Sequence, residues 1–183
     1  MQLRSNMITV IADEGQNKIG FEICQALIAQ GVQSDYVPLD NVVVKPCVNC
    51  GGCTNKTYGR CVVRDDGDWI YPKIIKSEVL VLVTPIVFGS YSFKLKRVLD
   101  KFGLFMDRHY FLVNGELTKG GMPDRTFKCF AVGVTEDAAE GDSFKRLFHE
   151  LLTITRGAGK AFVTAASLSD EMKSDIVKEA AHA

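Results

Sequence analysis

The run "VLVLVTP" (Val79–Pro85) constrains the fold of this chain more than any other stretch. Uncharged, continuous and rich in Val and Leu, it reads as a strand buried on both faces, and such strands belong to parallel sheets covered by helices. Even extended to "VLVLVTPIVF" the stretch is about half what a membrane-spanning helix needs. Two other runs share its character, "MITVIA" (Met7–Ala12) and "TFKCFAVGV" (126–134). "VQSDYVPL" is a weaker strand whose Pro38 suits an edge, and "AFVTA" (161–165) is a short last one. Helical patterns separate them. "IGFEICQALIAQG" places Ile19, Ile23, Ala26 and Leu27 on one face and ends at Gly31. "DDGDWIYPKIIKSE" is opened by Asp65 or Asp66. A helix from about Ser92 to Met106 aligns Leu95, Val98, Leu99 and Phe102. "DSFKRLFHELLTITRG" is amphipathic, and "SDEMKSDIVKEAAHA" closes the chain from Ser169 or Asp170.

Five strands alternating with five helices predict an α/β fold: a three-layer, doubly wound, parallel five-stranded sheet. In the flavodoxin-like order 2-1-3-4-5 the strand order reverses between the first and third strands, and ligands bind beyond the carboxyl ends there. The loops Asp13 to Lys18 and Pro85 to Ser92 would meet at that point. With no internal repeat or linker, residues 1–183 are expected to form one domain carrying a cysteine-rich insertion at about 40–66. An aperiodic loop of that length in a compact domain is usually functional. The polar stretch Asp107 to Arg125 is read as a connection.

Four of the six cysteines fall inside "KPCVNCGGCTNKTYGRC": Cys47, Cys50, Cys53 and Cys61. Cys24 and Cys129 read as apolar core residues. A chain of 183 residues buries enough surface to fold without disulfide staples. "MITVIA" lacks a cleavage signal, so a cytoplasmic setting is expected, where clustered thiols are metal-binding or catalytic sooner than structural disulfides. With 22 basic and 22 acidic residues, nothing in the charge calls for nucleic acid or a membrane surface. The spacing C-x2-C-x2-C-x7-C favours an iron–sulfur cluster over zinc, which more often takes two separated C-x2-C pairs. Zinc and free redox-active thiols stay open. A thioredoxin-like pair would need a helix N-terminus, and the first helix of this region is read after Cys61. Gly51 and Gly52 relieve crowding where the backbone turns between thiols. Lys45, Lys56, Arg60 and Arg64 flank them, either offsetting cluster charge or simply solvated.

The thiols continue into "CVVRDD" (Cys61–Asp66), and "TPIVFGSYSFKLKRVLDKF" forms a second block. Together these resemble the flavodoxin-like NAD(P)H-dependent FMN reductases, and within them the iron–sulfur flavoproteins. That family pairs a compact four-cysteine motif and C-V-x-x-D-D with P-x-Y-x-G-x-x-S and a helix ending L-K-x-x-x-D-R. Pro85, Gly89, Ser92, Lys96 and Asp100 fit the second pattern. The resemblance implies FMN and a [4Fe–4S] cluster on Cys47, Cys50, Cys53 and Cys61. It implies flavin contacts from Pro85, Ile86, Val87, Phe88 and Gly89. Phe88 stands one place after the family's aromatic, where this chain has Val87, so it either stacks or packs under its loop. The phosphate would fall to Gly15, Gln16, Asn17 and Lys18 at a helix N-terminus. There "ADEGQNKIG" lacks the family's hydroxyls, and acidic Asp13 and Glu14 would repel a phosphate unless turned away.

The reading is an FMN-dependent oxidoreductase or electron carrier taking electrons from NAD(P)H or a redox protein, self-associated as a dimer or tetramer as its relatives are. One alternative is a non-enzymatic protein with a degenerate phosphate loop and a structural metal or redox-sensing site. Another is a quinone or nitro reductase using FMN alone. No catalytic triad is visible. His109 is a lid residue or a lone surface histidine, and His149 and His182 gather no partners.

Overall fold

A computed structural model of the chain describes residues 7–13, 15, 18–107, 109–121 and 126–181. Five parallel strands form the central sheet: β1 (Met7–Ala12), β2 (Gln33–Pro38), β3 (Val79–Pro85), β6 (Phe127–Val134) and β7 (Gly157–Thr164). Their spatial order is β2-β1-β3-β6-β7, the expected 2-1-3-4-5 for the strands of this sheet. Pro38 ends the edge strand β2, where its missing donor costs no ladder bond.

Alternation along the buried strands sorts side chains to the two faces. Ile11, Leu80, Leu82, Cys129 and Ala131 enter one core with residues of α3 (Gly67–Lys76), α4 (Phe93–Leu99) and α5 (Ala138–Thr155). Ile8, Val10, Val79, Val81, Phe130 and Val132 enter the other, under α1 (Ile19–Ala29) and α6 (Asp170–Ala181). Cys24 and Cys129 are buried, as core residues should be. The Thr9 hydroxyl, buried in β1, pairs with Ser77 Oγ at 2.5 Å, so the polar group in the sheet is satisfied.

Four expectations need correction. The polar stretch after Met106 contains a hairpin, β4 (Tyr110–Val113) and β5 (Glu116–Lys119), turned by Asn114 (φ 51) and Gly115 (φ 84). Two left-handed residues in sequence make the type of turn whose twist matches paired strands. The helix expected from Ser92 to Met106 stops at Leu99 and continues only as a 3-10 turn, Phe102–Leu104. Its start is as expected, since Ser92 Oγ accepts the Leu95 N–H at 3.2 Å. Helix α5 begins before Asp142, because Asp137 caps Ala139 N at 2.8 Å and Glu140 N at 3.2 Å. Strand β7 reaches back to Gly157 through its full pairing with β6.

Tyr91 is buried beside Phe144, and its hydroxyl has no partner among the described residues. A buried unpaired hydroxyl costs about 1–3 kcal/mol. Tyr91→Phe should therefore leave the urea midpoint unchanged or raise it; a clear fall would mean the hydroxyl has a partner in solution.

Candidate functional site

The cysteine loop leaves β2 and returns at α3, and two aspartates fasten its ends together. Val43 N donates to Asp66 Oδ2 (2.7 Å), Lys45 N to Asp65 Oδ2 (2.8 Å), and Asp66 N to Val43 O (3.3 Å). Asp66 sits at the N-cap position of α3, yet its carboxylate caps no backbone N–H of the helix: it accepts from the incoming limb of the loop and, at 3.3 Å, from the Trp69 indole N–H. Asp65 caps in its place, accepting the Gly67 N–H at 2.9 Å. Asp65 also forms an ion pair with Lys101, and both side chains are 2% exposed. Burial alone would push the Asp65 carboxyl up; the Lys101 hydrogen bond, the two backbone donors and the Lys101 charge outweigh it and hold the pKa below the ordinary value.

Between the clamped ends the chain makes two left-handed steps, Asn49 (φ 50) and Gly51 (φ 65), then one helical turn, α2 (Gly52–Asn55). The expectation that no helix precedes Cys61 is thus incorrect: Cys53 lies in α2, and Cys50 just before it. Gly52 is needed for closeness, since a Cβ there would stand 2.7 Å from Val62 Cγ1 on the opposite limb. Cys47, Cys50, Cys53 and Cys61 all line one cavity of about 150 Å³. The rest of its wall includes Asp100, Lys101, Gly103 and Leu104 after α4, and Tyr110 at the start of the hairpin. Among the described residues no three His, Cys, Asp or Glu side chains are gathered tightly enough to hold a single metal ion. Arg64 pairs with Asp68 at 2.9 Å, and Lys45, Lys56 and Arg60 are exposed.

The second feature is the crevice at the carboxyl ends of β1 and β3. Gly15 (φ 53) and Lys18 (φ 54) are both left-handed, and Lys18 stands at the N-cap of α1. Gln16, Asn17 and Glu14 lie outside the described residues. Asp13 is not a free negative charge at this loop: Lys94 Nζ reaches its Oδ1 at 3.1 Å and Asp40 Oδ1 at 3.3 Å. After β3, Val87 and Ser90 exchange both backbone hydrogen bonds (2.9 and 3.0 Å) around Phe88 (φ 52) and Gly89 (φ 71). Ile86 points into the core and gives its N–H to Val134 O at 2.9 Å. The N–H groups of Phe88 and Gly89 bond to nothing among the described residues. Phe88 is 95% exposed, which excludes packing under its loop. A bulky residue at positive φ is strained, and Gly89 cannot carry one either, because its Cβ would come within 2.7 Å of Ser143 Cβ. His109 Nδ1 lies 2.9 Å from Asp107 Oδ1 on the surface beside Tyr110. Sequence reasoning passed over Lys94, Lys101 and Tyr110.

This sheet order defines a flavodoxin-like α/β protein that carries an additional thiol-lined cavity. The chain belongs to the NADPH-dependent FMN reductase family, whose model matches residues 12–119. It is 31% identical over 103 residues to an iron-sulfur flavoprotein of Methanosarcina thermophila, a match covering 55% of this chain and 53% of that protein. A Methanocaldococcus jannaschii iron-sulfur flavoprotein is 30% identical over 80 residues, covering 44% and 40%. The chain thus matches about half or less of the length of these relatives. Among solved structures, Smu.1420 from Streptococcus mutans aligns with a TM-score of 0.64 at 12% identity, over 96% of this chain and 97% of that one. The apo form of the NADH:FMN oxidoreductase EMOB aligns at 0.60 and 12%, over 97% and 87%. At such identities these two likenesses concern the fold alone.

Proposed function

We propose that this protein is an FMN-dependent oxidoreductase of the iron–sulfur flavoprotein kind. Cys47, Cys50, Cys53 and Cys61 would hold a [4Fe–4S] cluster, and the loops 15–18 and 85–89 would hold FMN. The observation that carries this reading is the shared cavity: four thiols from one short segment face the same space, closed on the far side by Lys101 and Leu104. The spacing C-x2-C-x2-C-x7-C favours a cluster over zinc, which more often takes two separated C-x2-C pairs. The donor set is also right, since clusters of this kind are held by four thiolates.

For the flavin, the fit rests on the unpaired N–H groups of Phe88 and Gly89 and on the neutralised Asp13. Gly15, Lys18 and the N-terminus of α1 are the anion-favouring part of the crevice. FMN, when bound, supplies two-electron chemistry and the cluster one-electron chemistry. This chain's residues would hold and orient these groups. The donor is NAD(P)H or a redox protein. The reading takes residues 1–183 as one cytoplasmic domain working as a dimer or tetramer; Leu112 and Leu117, paired across the hairpin and 74% and 72% exposed, offer apolar surface that a second copy would cover.

Protein purified without oxygen should show flavin bands over broad iron–sulfur absorption, with about four irons and four sulfides per chain for a cubane. Cys53→Ala should lose most of the iron and keep the fold; unchanged iron would remove Cys53 from the ligand set. A colourless protein with stoichiometric zinc would replace the proposal with a structural metal site, and flavin without iron would leave a reductase using FMN alone. Phe88→Gly separates function from folding. Relief of the positive φ should stabilise the protein by about 1 kcal/mol, while FMN retention on dialysis falls. Equal retention would sink the contact assigned to Phe88.

A further inference from the structure

We propose that Lys101 is a fixed cation that raises the reduction potential of the group held by the four cysteines, with Asp65 as the positioning residue that keeps it in place. This rests on the reading of those thiols as cluster ligands. Lys101 lines the thiol cavity and Asp65 does not, although their side chains are equally buried. Of the two buried partners, the lysine is thus the one that borders the cavity. Asp65 is itself immobilised by the N–H groups of Lys45 and Gly67 on the two limbs of the loop. The other charged side chain in the wall, besides the thiols, is Asp100, which is 38% exposed and paired with Lys96. Water and salt screen an exposed pair of that kind. A cation 2% exposed is screened far less, and since its equally buried partner Asp65 does not border the cavity, Lys101 is the strongest fixed charge at the wall.

Reduction adds one electron to a group already made negative by four thiolates. A fixed positive charge beside it favours that product. Loop limbs, ion pair and cavity thus act as one unit. The two blocks "CVVRDD" and "LKRVLDK" are joined through this contact.

The test is a potentiometric titration with dithionite of the anaerobically reconstituted full chain, followed by electron paramagnetic resonance, with iron content measured first. Lys101→Met/Asp65→Asn removes both buried charges together and strands neither. Its reduction equilibrium should fall about tenfold, or about 59 mV for one electron. Lys101→Arg should remain near wild type. Lys101→Gln alone removes the cation and keeps Asp65, so its potential should fall. An iron-replete double variant with an unmoved potential would overturn the proposal and leave the cluster reading intact. Wild-type protein that takes up no iron would overturn both. If the double variant fails to hold iron, the Lys101→Gln arm decides alone: a rise, or no change, sinks the proposal.

Discussion

Lys101→Met should destabilise the protein by about 3–5 kcal/mol, because it strands the buried Asp65 carboxylate without its cation. Converting both partners, as in Lys101→Met/Asp65→Asn, should recover most of that loss, since two buried charges disappear together. Urea denaturation of the metal-free protein measures both effects without involving any cofactor. Equal stability of the single and double variants would mean that the pair is not buried in solution. The pH dependence carries the same signature. Held below its ordinary value, the Asp65 carboxyl contributes stability that is fully present above the unfolded pKa of about 3.9 and is lost as pH falls through the folded value. Below about pH 4, wild type should therefore lose stability more steeply than the double variant, which lacks this group. Parallel profiles would refute the assignment.

Gly159→Ala should abolish folding, or cost more than about 4 kcal/mol. A Cβ at Gly159 (φ +153) would stand 1.6 Å from the Cys129 carbonyl oxygen, which belongs to the backbone of the neighbouring strand. Backbone within a paired ladder cannot step aside as the end of a flexible side chain can. The expected result is little soluble protein, or a sharply lowered thermal midpoint. Gly115→Ala is the matching control. It also has positive φ (+84), but nothing lies within 4 Å of the added Cβ, so only the conformational strain of about 1 kcal/mol remains. If Gly159→Ala were no worse than Gly115→Ala, the β6–β7 pairing at Cys129 would have to be wrong.

The fold was legible because burial on both faces leaves a strong mark. Val79 to Val83 has room for no polar residue, and the right-handed crossover rule turned five such units into one strand order. The hairpin was overlooked although Asn114-Gly115, a strong short-range signal for a tight turn, stands in plain view. The reason is that Phe111, Leu112 and Val113 follow one another without the alternation that marks a half-buried strand. Asp65 and Asp66 both fit the sequence as the cap of α3, and Asp65 is the one that accepts the Gly67 N–H because the loop limb at Val43 takes the Asp66 carboxylate. Phe88 could be placed in its loop but not oriented, since exposure depends on the turn formed by Val87 and Ser90.

By itself the sequence determined the sheet, its order, and the segment bearing the four thiols, because these follow from short-range periodicity and spacing. Only the tertiary structure decided what faces those thiols. Lys101 lies 40 residues after Cys61, and Lys101, Leu104 and Tyr110 reach the cavity from the segment after α4 and from the hairpin. No local pattern encodes that meeting, since a buried ion pair is fixed by two separate segments closing on one another and excluding water.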